Sequence, residues 1–286
     1  MSSPAESLSA HSGLTLPTLG FGTYALRGLT GRDAIVGAIR SGYRLLDSAF
    51  NYENEGIVGA AVRRAIDDAT VTRSDLVVTS KLPGRHHDHA AAIDTIEESV
   101  TRTGLGYIDL YLIHWPNPRV GKYVEAWKAL IHAKERGLVR AIGVSNFLTH
   151  HLETLEKETG VVPEVNQIEL HPYFPQVDLV AFNEAKGIIT ESWSPLGRGT
   201  DLLEEPVLAE VARAHEATPA QVVLAWHIAR GALPIPKTAN PDRREENLGA
   251  VALANRLDEA EVSAITSLGR PDGRRKDQDP AVYEEF

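Results

Sequence analysis

Residues 76–82 read LVVTSKL, residues 91–103 read AAIDTIEESVTRT, and residues 108–115 read IDLYLIHW. The two outer runs are short and rich in Val, Leu and Ile, as strands covered on both faces are. In the middle run the apolar residues recur at intervals of three and four, which is typical of an amphipathic helix. The order strand, helix, strand predicts two parallel strands joined by a right-handed crossover.

The same alternation continues along the whole chain. Six further apolar runs are LGFGT (19–23), YRLLD (43–47), RAIGVSN (140–146), EVNQIEL (164–170), IITESWS (188–194) and LPIPK (233–237). Helical periodicity lies between them in GIVGAAVRRAIDDA (56–69), VEAWKALIHAKERG (124–137) and LVAFNEAKG (179–187). Eight such units predict an α/β protein with a (β/α)8 TIM barrel. Because no linker divides the chain, we expect residues 1–286 to form a single domain, with the polar ends 1–13 and 269–286 outside the barrel.

Composition narrows the possible functions. The 286 residues are 43% hydrophobic, contain no Cys and carry a formal net charge of -10. The chain therefore has no disulfide and no thiolate, and its charge argues against a nucleic-acid surface. The N-terminus lacks the basic and apolar order of a signal peptide, and no apolar run is long enough to span a membrane. We expect a soluble cytoplasmic protein with neither nucleic acid nor membrane as partner.

Four titratable residues follow strands of the predicted barrel. Asp47, Lys81 and His114 end the second, third and fourth strands, and Tyr52 lies in the loop after the second, in LDSAFNYENE (46–55). Any one of them could be structural. Barrel enzymes, however, place their catalytic groups at the carboxyl ends of the strands. Together, the four residues predict a site for proton transfer.

These side chains suit the reduction of a carbonyl group. Tyrosine has a pKa of about 10, so it is a poor acid near neutrality unless a cation favours its phenolate. Lys81 could be that cation, Asp47 could hold the ammonium group, and His114 could donate a hydrogen bond to an oxygen that gains negative charge. No side chain supplies a hydride, so the hypothesis requires a cofactor.

Seven blocks carry a resemblance to a known family. They are LDSAFNYENE, LVVTSKLP, DLYLIHWP, AIGVSNF, VNQIELHP, SWSPLGRG and LPIPKTANPDRREEN. In this order and spacing they resemble the aldo-keto reductase family, and in detail its bacterial 2,5-diketo-D-gluconate reductase-like branch, from about Leu14 to the C-terminus. The resemblance implies NADPH-dependent reduction of aldehydes and ketones without a metal. It also makes Tyr52 the general acid/base, with Asp47, Lys81 and His114 completing a tetrad.

The resemblance also implies a cofactor site. Ser145, Asn146 and Gln167 match positions that bind the nicotinamide carboxamide, and Trp193 matches the position that stacks on the ring, where most of the family has Tyr or Phe. The full set of implied cofactor residues is Gly22, Thr23, Asp47, Ser145, Asn146, Gln167, Trp193, Ser194, Pro195, Leu196, Gly197, Gly199, Ile235, Pro236, Lys237, Thr238, Arg243, Glu246 and Asn247.

Within that set, Ser194, Leu196 and Gly199 match the loop over the pyrophosphate. Lys237, Thr238 and Arg243 match residues that hold the adenosine 2′-phosphate, and two cations with a hydroxyl suit a dianion. Glu246 and Asn247 match positions at the adenine. The same segment, Asn240-Pro241-Asp242, is also a helix start signal.

The implied substrate pocket consists of Tyr24, Asn51, His114 and Trp115, with the C-terminal tail folded over the rim. We expect Val282, Tyr283 and Phe286 to anchor this tail while Arg270, Arg274 or Arg275 faces the opening; a frayed charged terminus is the alternative. A small-molecule carbonyl compound is the expected partner, which could be a small dicarbonyl, a keto sugar or an aromatic aldehyde. We expect a monomer.

Two other motifs invite different interpretations. GFGTYA (20–25) fits a dinucleotide-binding fingerprint, but Pro17 precedes it and LRGLTGR (26–32) shows no helical period, so we interpret it as the end of the first strand. RHHDHA (85–90) is interpreted as an exposed loop, and no metal site is expected.

Two other classes of function remain as alternatives. One is an NADPH-binding regulatory or structural protein with little turnover, against which the intact tetrad argues. The other is a metal-dependent amidohydrolase on the same barrel, which would need more His and Asp ligands at strand ends than His114 and Asp47 provide.

Overall fold

A computed structural model describes residues 7–275 and 278–286, and its centre is a ring of eight parallel strands. After a hairpin of β1 (Ser7–Ser9) and β2 (Thr15–Pro17), the ring comprises β3 (Phe21–Gly22), β4 (Leu45–Asp47), β5 (Val77–Leu82), β6 (Ile108–Ile113), β7 (Val139–Ser145), β8 (Val165–Glu169), β9 (Ile189–Trp193) and β10 (Leu233–Pro234). Each strand pairs with the next in sequence. The Gly20 amide donates to the Pro234 carbonyl at 3.0 Å and closes the ring. The predicted (β/α)8 barrel is confirmed.

Helices surround the ring. They are α1 (Gly28–Ser41), α2 (Glu55–Asp67), α3 (His89–Thr103), α4 (Tyr123–Glu135), α5 (Thr149–Thr159), α6 (Val177–Ala185), α7 (Pro206–Ala214), α8 (Pro219–Ala229), α9 (Pro241–Ala254) and α10 (Glu259–Thr266). The predicted start of α9 is confirmed, since the Asn240 side chain accepts hydrogen bonds from the Asp242 and Arg243 amides. No helix among the described residues is both long and apolar enough to cross a bilayer.

Helix α1 corrects one expectation. It begins at Gly28, inside the segment LRGLTGR, which was expected to lack helical structure. The apolar residues that fix this helix against the barrel, such as Ile35 and Ile39, come later in its sequence and are fully buried. GFGTYA is nevertheless not a dinucleotide fingerprint, because its strand β3 belongs to the eight-stranded ring.

The two ends of the barrel differ in chemistry. The hairpin formed by β1 and β2 includes residues that were expected to stand outside the fold. Its Leu16 is fully buried, in one cluster with strand residues that fill the barrel: Leu45, Val77, Leu110, Leu112, Ala141, Val165 and Leu233. The hairpin thus covers the end where the strands begin with the apolar side chain of Leu16, and Asp47 and Lys81 lie toward the opposite rim.

The C-terminal tail crosses that rim, as predicted. The Arg275 amide donates to Glu169 Oε1 at 2.9 Å, and the ring of Tyr283 lies 4.4 Å from that of Trp115. Val282 and Phe286, however, are 52% and 74% exposed, so the expectation that they anchor the tail is wrong. Tyr283 anchors it, because its neighbour Trp115 offers a large buried ring.

Candidate active site

A buried ion pair forms the base of the site. Lys81 Nζ lies 2.6 Å and 2.8 Å from the two carboxylate oxygens of Asp47, and it also donates to the Ser48 carbonyl at 2.8 Å. The Lys81 side chain is fully buried, so burial by itself lowers its pKa. Burial is the largest single effect, but the charge and hydrogen bond of Asp47 together with the charges of Tyr52 and Glu191 outweigh it, and the pKa of Lys81 is raised. Lys81 is therefore a fixed ammonium group at the rim.

Tyr52 stands directly above this ammonium. It ends a single helical turn, Phe50–Tyr52, that follows β4, and Lys81 Nζ lies 5.1 Å from its ring centroid. Its ring packs edge-on against Tyr24 at 5.2 Å and His114 at 5.8 Å. The structure thus brings together the four residues that the sequence singled out.

The pKa of Tyr52 differs from the simplest expectation. Burial raises it to about 12, although Lys81 lowers it, and Asp47 adds a smaller upward shift. Lys81 acts in the expected direction, but in the protein alone burial exceeds its effect. The Tyr52 hydroxyl is accordingly protonated near neutral pH, and Lys81 reduces the free energy needed to remove that proton.

Asn54 holds the loop that carries Tyr52. This buried side chain donates to the Thr23 and Leu26 carbonyls at 2.8 Å and 3.1 Å, and it accepts from Ser48 Oγ at 2.8 Å. Thr23 in turn donates its hydroxyl to the Asp47 carbonyl at 2.8 Å. Sequence reasoning missed Asn54, whose role depends on joining the loop after β3 to the loop after β4.

A second carboxyl group lies beneath the ion pair. Gln167 Nε2 donates both to Asp47 Oδ1 and to Glu191 Oε2, each at 2.8 Å. Since both acceptors are carboxyl groups, the Gln167 amide turns its nitrogen, not its oxygen, toward them. Glu191 is fully buried, and burial, followed by the charge of Asp47, raises its pKa to about 7. Its only signal in the sequence is a carboxyl group inside an apolar strand.

The C-terminal tail brings a carboxylate, not an arginine, to the tetrad. Glu285 Oε1 lies 2.7 Å from His114 Nδ1. Burial raises the pKa of Glu285, but the nearby His114 and hydrogen bonds from Gly84 and Asn51 outweigh burial, so this pKa is lowered. Of the arginines expected at the opening, Arg270 stacks on Tyr173 at 3.7 Å, Arg274 pairs with Asp279, and Arg275 donates to the Arg198 carbonyl at 3.4 Å. The alternative of a frayed terminus does not describe Glu285, which is buried.

The expected nicotinamide residues lie beside the tetrad. Asn146 Nδ2 donates to the His114 carbonyl and to Ser145 Oγ, each at 3.0 Å, and its Oδ1 accepts from Trp193 Nε1 at 2.8 Å. The amide of Asn146 is thereby committed to the protein. Ser145 Oγ is also engaged, because it donates to the Gln167 carbonyl at 2.8 Å. Gln167 Oε1 has no hydrogen-bond partner among the described residues and can accept from a carboxamide, and the half-buried Trp193 offers a flat ring.

The loop after β9 has the backbone that a close approach to a phosphate needs. Ser194, Gly197 and Gly199 have φ values of 49°, 59° and 83°. Leu196 is half-buried, whereas Pro195 is buried and its carbonyl accepts from His227 Nε2 at 3.0 Å. This loop, with the rim glycine Gly22 and the buried residues Thr23, Ile235 and Pro236, outlines one side of the expected cofactor groove.

The residues expected at the adenosine end divide into two groups. Lys237 and Arg243 are exposed, and neither side chain has a hydrogen-bond or ion-pair partner among the described residues. Thr238 is buried near the capped start of α9. Glu246 instead accepts from the Thr218 hydroxyl, and Asn247 is buried. Two free cations beside a helix N-terminus fit a dianionic 2′-phosphate, so the residues present fit NADPH.

The histidine-rich segment is not wholly an exposed loop. A short turn, Gly84–His86, precedes α3, and His87 between them is buried, which corrects the expectation at that position. Burial lowers the pKa of His87 to about 4, so its ring is neutral. Within the described residues, no three His, Cys, Asp or Glu side chains are grouped as metal ligands.

Comparison with known proteins places this geometry in context. A family model described as the aldo/keto reductase family matches residues 18–270. The 2,5-diketo-D-gluconic acid reductase B of Corynebacterium sp. is 53% identical over 279 residues, which cover 98% of both chains. The methylglyoxal reductase DkgA of Escherichia coli is 40% identical over 277 residues, covering 96% of this chain and 97% of the relative.

A solved structure adds a likeness in three dimensions. The crystal structure of a Gox0644 mutant in complex with NADPH superimposes with a TM-score of 0.90 at 40% sequence identity. The match covers 97% of this chain and 98% of that chain.

The buried carboxyl group of Glu191 predicts a pH-dependent cost to stability. Its pKa is about 7 in the folded protein against a reference value of 4.5, so the folded state holds a proton that the unfolded chain releases as the pH rises. The free energy of unfolding therefore falls as the pH rises from about 4.5 to about 7, and this loss is complete above pH 7. Replacing Glu191 with Gln removes the penalty. The free energy of unfolding of the variant minus that of wild type should therefore be larger at pH 8 than at pH 5, by on the order of 2–3 kcal/mol. Urea unfolding of both proteins at both pH values measures this change. A difference between variant and wild type that is the same at pH 5 and pH 8 would contradict the raised pKa of Glu191.

Proposed function

The chain belongs to the aldo/keto reductase family, and we propose that its rim residues carry out the reduction of aldehydes and ketones with NADPH as follows. Tyr52 is the proton donor, Lys81 and Asp47 set its acidity, and His114 polarises the carbonyl group. The observation that carries this proposal is the buried Lys81 ammonium, held by Asp47 beneath the tyrosine. A purely structural ion pair would need no hydroxyl group above it.

The reaction requires one hydride and one proton. NADPH, when bound, supplies the hydride to the carbonyl carbon. The substrate oxygen, placed between Tyr52 and His114, gains negative charge as that bond forms. Tyr52 then transfers its proton to this oxygen and completes the alcohol. The remaining phenolate is stabilised by Lys81, whose charge the Asp47 carboxylate and the Ser48 carbonyl keep in place.

The cofactor residues divide the work of binding. Lys237 and Arg243 hold the 2′-phosphate, and the loop from Ser194 to Gly199 faces the pyrophosphate. Gln167 and Ser145 accept from the carboxamide, and the ring of Trp193 supports one face of the nicotinamide. These roles fix which face of the nicotinamide is turned toward the carbonyl carbon.

The cleft favours small carbonyl substrates. The rings of Tyr24, Trp115 and Tyr283 form its walls, and Asn51 lies at its edge. These walls suit small dicarbonyls, keto sugars and aromatic aldehydes. A single barrel contains all the proposed site residues, which supports our proposal that residues 1–286 form one domain. We further propose that the protein acts as a monomer in the cytoplasm, without nucleic acid or a membrane as partner; its net charge of -10 is unfavourable for nucleic acid.

The first prediction concerns Tyr52. Replacing it with Phe removes only the hydroxyl group, so turnover should fall by about 10²- to 10⁴-fold, the usual contribution of a general acid. NADPH affinity should stay nearly unchanged. Loss of NADPH absorbance with a panel of carbonyl compounds measures turnover, and fluorescence titration measures binding. Retention of more than about a tenth of wild-type turnover, with chemistry rate-limiting, would refute the role of Tyr52. A wild-type protein that binds NADPH without turnover would favour the alternative of a regulatory or structural protein.

A second prediction concerns cofactor choice. The double variant Lys237→Ala/Arg243→Ala should lose affinity for NADPH but not for NADH, because only NADPH carries the 2′-phosphate. Each charge-assisted contact contributes about 1.5–3 kcal/mol, so the preference should shift by at least about tenfold. Binding titrations with both nucleotides measure the shift. The matched control is Arg244→Ala, since the neighbouring Arg244 donates to the Ala239 carbonyl and should leave the preference intact. Equal losses for both nucleotides would point to a defect in folding.

A further inference from the structure

A buried histidine holds the loop that follows β9. His227 lies in α8, within the run 222–228, whose residues are all buried. Its Nε2 lies 3.0 Å from the Pro195 carbonyl oxygen. A carbonyl oxygen can only accept, so Nε2 carries the hydrogen of this bond. Among the described residues, no other fully buried side chain bonds to the main chain of 194–199.

The ring of His227 is neutral and has a single hydrogen to donate. Burial lowers its pKa to about 3, with smaller contributions from the charges of Arg230 and His171, although the bond to Pro195 acts in the opposite direction. The other ring nitrogen, Nδ1, is buried and has no partner among the described residues. An unpartnered polar atom in the core costs stability, so an apolar side chain would suit this position better if packing were its only role. The hydrogen on Nε2 is what His227 supplies.

The bonded carbonyl belongs to the central peptide of a β-turn. The Gly197 amide donates to the Ser194 carbonyl at 2.9 Å, so residues 194–197 form the turn, with Pro195 and Leu196 in the middle. The two common types of turn differ by a flip of this central peptide. Leu196 has a Cβ atom, which disfavours the flipped form, and the bond from His227 acts in the same direction. That bond also ties the turn to α8.

The same peptide presents an amide on its other side. A trans peptide directs its C=O and N–H in opposite directions, and the described residues contain no cis peptide bond. Because the Pro195 carbonyl faces His227, the Leu196 N–H faces away from that ring. It has no hydrogen-bond partner among the described residues. Successive backbone N–H groups in turns with left-handed residues, such as Ser194 and Gly197 here, form concave sites that bind anions.

We propose that His227 is a positioning residue that orients the Leu196 amide toward the pyrophosphate of NADPH. This inference rests on the proposed cofactor site. His227 is fully buried and acts through the peptide between Pro195 and Leu196. The Leu196 amide donates to a phosphate oxygen, and such a charge-assisted bond is stronger than one between neutral groups.

Two replacements separate this role from packing. His227→Leu keeps an apolar side chain in the core and removes the donor, so the Pro195 carbonyl loses its partner. His227→Gln keeps a donor, because the nitrogen of its carboxamide lies at nearly the same distance from the backbone as Nε2 does. The matched control is His215→Leu, which removes a histidine at the end of the adjacent helix α7, where the ring contacts Glu261.

The test compares three ligands by equilibrium titration. NADPH carries the pyrophosphate and the nicotinamide, 2′-phospho-ADP-ribose carries the pyrophosphate alone, and adenosine 2′-phosphate carries neither. In His227→Leu, the first two should bind about tenfold more weakly, which is the lower end expected for a hydrogen bond to a charged group. Adenosine 2′-phosphate should bind as it does to wild type. His227→Gln should recover most of the loss, and His215→Leu should show none.

Two results would overturn the proposal. One is an equal affinity of wild type and His227→Leu for 2′-phospho-ADP-ribose. The other is an equal weakening of all three ligands with no recovery in His227→Gln, which would assign His227 to packing. A wild-type protein that binds none of the three ligands would instead overturn the proposed cofactor site.

A second readout uses wild-type protein only and does not depend on a variant folding. In ¹⁵N-labelled protein, the imidazole hydrogen of His227 should be on Nε2. The Leu196 amide proton should shift downfield when 2′-phospho-ADP-ribose is added, and adenosine 2′-phosphate should leave it in place. A hydrogen on Nδ1, or a Leu196 amide that does not respond to 2′-phospho-ADP-ribose, would refute the role of His227 whatever the variants show.

Discussion

The rest of the site depends on the buried ion pair between Lys81 and Asp47. Removing one partner from such a pair costs about 3–5 kcal/mol, because the other charge is left buried without compensation. The fold satisfies this constraint with a set of acceptors and donors on adjacent strands and loops: the Ser48 carbonyl on the ammonium, and Gln167 on the carboxylate. Tyr52 lies above the pair and gains acidity from it. The hydroxyl group that we propose as the proton donor is thus paired with a charge that the barrel itself keeps in place.

The architecture places this ion pair toward the end of the barrel where the strands finish. Apolar side chains and the hairpin fill the end where the strands begin, with Leu16 at the centre. Toward the opposite rim, β4 ends at Asp47, Lys81 is the last residue but one of β5, and Gln167 lies in β8; the tail crosses above them. Glu285 adds a second carboxylate at this rim. The two carboxylates lie against different groups: Asp47 is 2.6 Å from Lys81 Nζ, and Glu285 is 2.7 Å from His114 Nδ1.

Much of this could be predicted from the sequence, because it depends on local patterns. Strand periodicity located all eight strands, and the strand ends located Asp47, Lys81 and His114. The start of α9 followed from Asn240 and Pro241. Other features depend on contacts between distant residues and left little local signal. Glu285 is 171 positions from His114 in the sequence. The tail is rich in charged residues, and nothing in its sequence indicates which of them contacts the rim. Glu191 looked like part of an apolar strand, and the early part of α1 lacked helical periodicity because its buried residues come later.

The most direct test of the account is the rate of hydride transfer in the double variant Asp47→Asn/Lys81→Met, measured by stopped flow in a single turnover. The paired replacement removes both charges without leaving an unpaired carboxylate in the core. If the ammonium makes Tyr52 an effective acid, hydride transfer should slow by at least about 100-fold while Tyr52 and the bound nucleotide stay in place. A transfer rate within about tenfold of wild type, in a protein that still binds NADPH, would show that the ion pair serves the fold and not the chemistry.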